Sequence, residues 1–294
     1  MGILRLRYLW YTLSGLLMIV SILAMVVYGF RFGIDFTGGT LLEVHFTGER
    51  PAVSVVEETL QPLNLGETQI EPANDDSYII KTQFIQDDQR VAILQALGDD
   101  VVEDSFETIG PTIGEELRRK AISAVVLVVV AIVLYIAWAF RGVSKGPVPA
   151  WAFGLSAVVA LIHDIIIPLG VFVVLGEWLG VELNVMFITA LLTILGFSVH
   201  DTIVVFDRIR ENLRRSSATH FAGVIGESIQ QTVMRSLNTS VTVIIVLAVL
   251  LLFGGASTFY FVLALMIGIT VGTYSSIFIA SPSLLIWQKL LKKG

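Results

Sequence analysis

Six runs of roughly 20 apolar residues limit what this chain can fold into more than any other feature it has. They fall at about 9–30, 121–140, 149–175, 184–206, 237–253 and 259–286. In hydrocarbon a segment of that length must satisfy its own backbone N–H and C=O groups, so each run is expected to be a membrane-spanning helix. Composition agrees: 55% of the 294 residues are hydrophobic and 15% charged, with a mean hydropathy of +0.80. A polytopic α-helical membrane protein with six transmembrane helices is the expectation. The first run follows Arg5 and Arg7 as a signal peptide's apolar stretch would, yet it is longer than such stretches and no A-x-A cleavage site follows. It is read as a retained anchor.

The charges are not spread evenly. Twelve of the 19 basic residues fall on one side of the spans: Arg5, Arg7, Arg141, Lys145, Arg208, Arg210, Arg214, Arg215, Arg235, Lys289, Lys292 and Lys293. Short loops on the other side, 176–183 and 254–258, carry Glu177 and Glu182 and no Lys or Arg. Positive residues stay in the cytoplasm, which puts both termini there and makes this a multi-pass membrane protein. The long interval 31–120 then lies outside, with 18 acidic against 7 basic residues. A net charge of -6 argues against nucleic-acid binding, which needs a basic face. The absence of cysteine removes disulfides, thiolate metal sites and a cysteine nucleophile.

Three divisions follow: 1–30 as the tail and first span, 31–120 as an exterior α+β domain with flanking hinges, and 121–294 as the remaining five spans. Within the exterior interval, Leu42, Val44 and Phe46 alternate with Glu43 and His45 as in a half-buried strand. Pro51 suits the first turn of a helix ending at Leu60. Residues 67–71 and 78–84 read as strands joined through Asn74, Asp75, Asp76 and Ser77. Asp87 and Asp88 suit the start of a second helix closed by Gly98, and 101–108 is a last strand. The order β-α-β-β-α-β is that of a ferredoxin-like sandwich. No metal-spaced cluster and no Ser/His/Asp set appears in it, and His45 beside Glu43 reads as a strand-surface histidine. Binding or scaffolding is therefore favoured there over catalysis, with no cofactor or metal. Two glycine-rich motifs frame the domain: Gly33-Ile34-Asp35-Phe36-Thr37-Gly38-Gly39-Thr40 before it and Gly110-Pro111-Thr112-Ile113-Gly114 after it. They are read as paired hinges, since glycine permits turns and close backbone approach.

Ionisable groups inside spans are costly and mark function by default. Asp164 follows His163 in the third span, and Pro168 cannot donate to the carbonyl of residue 164. Asp201 follows His200 in the fourth, roughly 9 Å to the cytoplasmic side of its midpoint at the helical rise per residue. Arg235 opens the fifth span with Asn238, Thr239 and Thr242 on its helical face. This polar stripe needs an acceptor, and Asp201 is the expected partner. Such a pair has two readings: a fixed salt bridge between helices, or an acid that gains and loses a proton as the spans shift. Asp207, Arg208, Arg210 and Asn212 continue out of span four into the cytoplasm. Apolar residues from Phe221 to Val233 on one helical face suggest a separate interfacial helix at about 219–235. Gly268 and Gly272 make a small-residue face for close packing in span six.

Taken in order, these stretches resemble the SecD/SecF family of bacterial protein-export subunits within the RND group of proton-driven transporters. The matching motifs are GIDFTGGT from Gly33, GPTIGEEL from Gly110, LIHDI from Leu161, GFSVHDTIVVFDRIREN from Gly196, RSLNTS from Arg235 and YSSIFIAS from Tyr274. The resemblance implies a non-enzymatic auxiliary subunit that, with SecD, uses the proton motive force to promote movement of unfolded exported polypeptide through SecYEG, alongside SecA and YajC-type proteins. It places Asp201 and Arg235 in the proton pathway, with His200 where the family usually has Asn. Asp164 is the other acid within the spans. Two alternatives stand further off: an RND-type exporter of small molecules or lipids, which usually carries two six-span halves in one chain, and an intramembrane aspartyl protease, which needs a Gly-x-Gly-Asp turn absent before Asp201.

Overall fold

The computed structural model describes residues 2–66, 68–73, 75–141, 147–215 and 221–291. Glu67, Asn74, Lys145, Lys292 and Lys293, and the first two residues of the expected interfacial helix, lie outside them. The chain divides into two compact units, 1–31 with 124–294, and 32–123.

The smaller unit opens with the short helix α3 (Ile34–Thr37), which follows α1 (Gly2–Arg5) and α2 (Arg7–Tyr28) of the larger one. Then come β1 (Gly39–Phe46), α4 (Val53–Leu60), β2 (Gln69–Pro72), β3 (Ser77–Thr82), α5 (Asp87–Leu97) and β4 (Val101–Ile109). The strands form one antiparallel sheet in the order β2-β3-β1-β4. Alternation along β1 puts Leu42, Val44 and Phe46 into the core with Val56, Ile80 and Ile93. Each such buried side chain contributes about 1.5–3 kcal/mol relative to exposure. A bulge lies opposite Glu43 and Val44, where Ser105 and Glu103 pair and Asp104 is left over. There Asp104 Oδ1 takes the Nδ1 of His45 at 2.7 Å. His45 is thus tied across the sheet to β4, and not to Glu43 on its own strand.

Some boundaries depart from the sequence expectation. Helix α4 begins two residues after Pro51, with Ala52 as its extended N-cap; the Pro51 carbonyl instead accepts the buried Tyr78 hydroxyl at 2.7 Å. Strand β3 stops at Thr82 and not at Phe84, because its partner β1 begins at Gly39 and the last pair is Thr40 with Thr82. Beyond it, Ile85 N donates to the Thr40 hydroxyl at 3.2 Å.

The two glycine motifs meet. Gly38 has φ +75°, and a Cβ there would lie 2.7 Å from Pro111 Cα; a Cβ on Gly114 would lie 2.7 Å from Gly38 N. Both glycines therefore serve backbone-to-backbone contact as well as turning. Gly38→Ala should destabilise the full-length chain by more than about 1 kcal/mol, as a side chain at positive φ does when there is also no space for it. Faster amide exchange at Thr40 and Ile109 checks it, and unchanged exchange would contradict the close-approach argument.

In the larger unit, α2 is followed by α6 (Pro111–Ala139), whose first residues belong to the smaller unit, then α7 (Ala150–Leu179), α8 (Val185–Arg215), α9 (Phe221–Phe253), α10 (Ala256–Ser275) and α11 (Ser281–Leu291). A π-helical turn, Ser276–Ala280, joins the last two. Six of these helical stretches are long and apolar enough to cross a membrane. The last span, Thr258–Leu291, is the most buried of the six, followed by α7 and α8, whereas α6 exposes apolar residues such as Leu127 and Leu134 along its length. Phe140 and Phe153 stack with centroids 5.5 Å apart, and Phe206 meets both edge-on. The expected interfacial helix is not a separate element: from Phe221 it runs unbroken into span five as α9. Its apolar face, Phe221, Ile225 and Ile229, is buried in the protein core, because the end of α8 packs alongside and covers it before any lipid headgroup would.

Candidate functional site

The chemistry-bearing residues of the bundle gather where α7, α8, α9 and the α10–π junction meet. Asp164 on α7 is fully buried. Its Oδ1 lies 2.9 Å from His163 Nδ1, and its Oδ2 accepts the hydroxyls of Ser198 on α8 and, at 2.8 Å, of Ser275 at the end of α10. Three donors from three helices thus stabilise one buried carboxyl group. The His163 ring stacks on Tyr274, whose hydroxyl donates to the Trp10 carbonyl at 3.2 Å and accepts from Ser14 at 3.1 Å. α2 is joined to the cluster in this way. Pro168 lies inside α7 without breaking it.

Next to this cluster runs a line of hydroxyls. Thr202, four residues after Ser198, is 2.9 Å from Ser276. Ser240 on α9 is 2.5 Å from Thr273 on α10. The π turn fits this pattern: it presents both Ser275 and Ser276 inward, and Ser281 caps the displaced Ser276 carbonyl at 3.0 Å. Such turns recur at functional sites because they re-aim side chains without ending the helix. Gly272 allows the contact, since a Cβ there would stand 2.9 Å from Ser198 Cβ.

Asp201 lies on the same face of α8, three residues after Ser198. It is 2% exposed and lines a pocket with His200, Val204, Arg235, Ser236 and Thr239. The expected ion pair is not formed: among the described residues no salt bridge within 4.0 Å joins Asp201 to Arg235. Among the described residues, Asp201 Oδ2 and Ser236 Oγ, both buried, form no hydrogen bond within 3.5 Å, although the Asp201 carboxyl faces the hydroxyls of Ser236 and Thr273. Arg235, Asn238, Thr239 and Thr242 turn out of the chain, and the two threonines donate to carbonyls of their own helix, Arg235 and Asn238. The polar stripe is therefore on the outer face of α9. The inner face carries a second stripe, Ser228, Thr232, Ser236 and Ser240, all buried. Its four-residue spacing is visible in the sequence, but small hydroxyl residues inside an apolar run carry little weight until a neighbour is known.

At the end of α8, Asn212 donates to Ser228 Oγ at 2.8 Å and to Gln231 Oε1 at 2.9 Å, and Arg208 donates to the same Gln231 oxygen at 2.5 Å. Asp207 pairs with Arg210 at 3.8 Å on its own helix. The motif ties α8 to the first turns of α9. Asn212→Ala removes two of these bonds and should cost about 1–2 kcal/mol; a lowered thermal midpoint in detergent checks it, and an unchanged one refutes the tie.

A helical bundle with carboxyl groups buried at its inter-helix contacts defines a multi-pass membrane protein. Comparison with known proteins supplies the family. Residues 89–290 match Protein export membrane protein SecD/SecF, C-terminal, and residues 23–48 match the SecD/SecF GG Motif. Protein translocase subunit SecF of Anaerolinea thermophila is 38% identical over 98% of this chain and 94% of its own length. The SecF of Thermobaculum terrenum is 40% identical, with coverage of 97% and 93%. Among solved structures, SecDF, a translocon-associated membrane protein from Thermus thermophilus, superposes with a TM-score of 0.85 at 32% identity. That match covers 98% of this chain and 39% of the larger one. The chain belongs to the SecD/SecF protein-export family.

Proposed function

We propose that this chain is an auxiliary, non-enzymatic subunit of the Sec translocase that works with a SecD partner and couples proton flow to the movement of unfolded polypeptide. Family membership supports the export role. The similarity to 39% of a SecDF chain supports SecD as the partner, and SecYEG with SecA and YajC-type proteins completes the assembly in this reading. The cytoplasmic membrane is its location, with both termini in the cytoplasm. Residues 31–120, a ferredoxin-like domain by strand order, lie outside, and the motifs at Gly33, Asp35, Gly38, Gly39, Gly110, Pro111 and Gly114 are their hinges. Residues 1–30 and 121–294 make the membrane part.

The observation that carries the proton reading is a single one: Asp201 is buried beside a pocket, and among the described residues one of its carboxyl oxygens forms no hydrogen bond within 3.5 Å. Leaving a buried polar atom without a partner costs about 1–3 kcal/mol, which a site retains when another state satisfies the atom. Proton entry past His200 and Arg235 reaches Asp201. Once protonated, the acid offers an O–H to Ser236 Oγ, which likewise forms no hydrogen bond within 3.5 Å among the described residues. Deprotonated, it draws the Arg235 guanidinium inward. The two states pull α8 and α9 differently, and a charge moved across the membrane potential supplies about 2.3 kcal/mol per 100 mV. That suffices to shift a two-state element whose states differ by a few kcal/mol. Asp164 is the second acid of this pathway.

Asp201→Asn keeps the shape and removes the titrating group. It should abolish the proton-force-dependent part of export in membrane vesicles while leaving the chain inserted and bound to its partner. Export that keeps its full response to the proton gradient would refute this reading.

A further inference from the structure

We propose that Asp164 is a positioning residue for Asp201: by drawing Ser198 and Ser275 onto one carboxyl oxygen it fixes the rotation of α8 against α10, and with it the direction in which Asp201 faces. The inference rests on the proton-pathway reading for its consequence, but its geometry is independent of it.

Ser198, Asp201 and Thr202 stand at i, i+3 and i+4 on α8, so they share one face and turn together. Each meets a different neighbour. Ser198 donates to Asp164 on α7, Thr202 meets Ser276 in the π turn at 2.9 Å, and Asp201 faces the α9 pocket. Directly under Ser198 lies Gly272, where no side chain could be added without meeting the Ser198 Cβ at 2.9 Å. This is a pivot: α8 and α10 approach closely there, a Cβ on Gly272 also standing 3.4 Å from Ser198 Cα, and the apolar contact of Ile194 over Gly268 one turn away gives no directional hold on rotation. What stops the roll is polar. Ser275 donates to the same Asp164 Oδ2 that takes Ser198, so one atom holds α8 and α10 in a single register from the side of α7. His163 occupies the other oxygen, which keeps Oδ2 directed at the two serines. Asp164 thus serves the pathway by holding Asp201 in place: both its oxygens are engaged and it does not line the Asp201 pocket. Removing the strap lets α8 turn about the Gly272 contact and carries Asp201 away from Ser236.

The chain contains no cysteine, so one introduced thiol reports alone. Val204 lines the pocket on the same helix as Asp201. In full-length chain in membrane vesicles, Val204→Cys is labelled with a charged, membrane-impermeant thiol reagent, alone and combined with Asp164→Asn, Ser198→Ala, Ser198→Thr or Ser156→Ala. Ser156 is a buried hydroxyl outside the cluster, bonded to Ser283 and Trp287. Loss of the strap should change the labelling rate by about tenfold, the effect of one hydrogen bond to a charged group on an orientation equilibrium. That change is expected with Asp164→Asn and Ser198→Ala, with restoration by Ser198→Thr and no change with Ser156→Ala. Equal rates in all five, a threonine as disturbed as the alanine, or an equal shift with Ser156→Ala would each overturn the proposal. The result is separate from the proton reading: should Asp201→Asn leave proton-driven export intact while labelling follows the expected pattern, the positioning role stands and the pathway falls.

Discussion

One buried carboxyl group, that of Asp164, holds together the part of this protein on which the rest depends. Hydrocarbon gives little reason for one apolar helix to prefer another, since lipid tails are as apolar as leucine. Specific contact between spans comes from small residues that allow close approach and from polar atoms that must be satisfied. Asp164 supplies the second with donors from its own helix, from α8 and from α10, while Gly272 supplies the first. The energetic stake is high because a buried acid stripped of its donors costs several kcal/mol. The π turn, the inward serines and the line of hydroxyls toward α9 all belong to the same solution.

The two acids of the spans differ in kind. Asp164 is closed: fully buried, with both oxygens engaged. Asp201 is open, with a pocket in front of it and one oxygen that forms no hydrogen bond within 3.5 Å among the described residues. A closed acid suits holding a structure in place and an open one suits exchange with its surroundings. This division of roles is what separates the positioning proposal from the pathway proposal.

Much was legible from residues alone. The six apolar runs foretold six long helices, and the alternation at Leu42, Val44 and Phe46 foretold a strand with one buried face. Asp201 and Arg235 were expected near each other, and they do line one pocket. The ion pair between them was not found. The separate interfacial helix was also misread: the amphipathic face from Phe221 looks the same whether it meets lipid or protein, and the covering partner, the end of α8, is fixed only by packing. Helical spacing alone also favoured the stripe at Asn238, Thr239 and Thr242, because larger polar residues outweigh serines in any reading by composition. Burial reversed that ranking in favour of Ser236 and Ser240.

What the sequence determined by itself is the periodic and the local: span number, the acidic character of 31–120, strand alternation, and the identity of the few ionisable residues within apolar runs. These follow from transfer energies and backbone satisfaction, which depend on each segment alone. Tertiary structure decided which polar atoms meet. Ser198 and Ser275 are 77 positions apart in the chain, and nothing local brings both to Asp164; only the crossing of α7, α8 and α10 does. The same crossing leaves Asp201 Oδ2 without a hydrogen bond within 3.5 Å among the described residues, because hydrogen bonds need partners at fixed distance and direction, and those are properties of the packed bundle and not of any one helix.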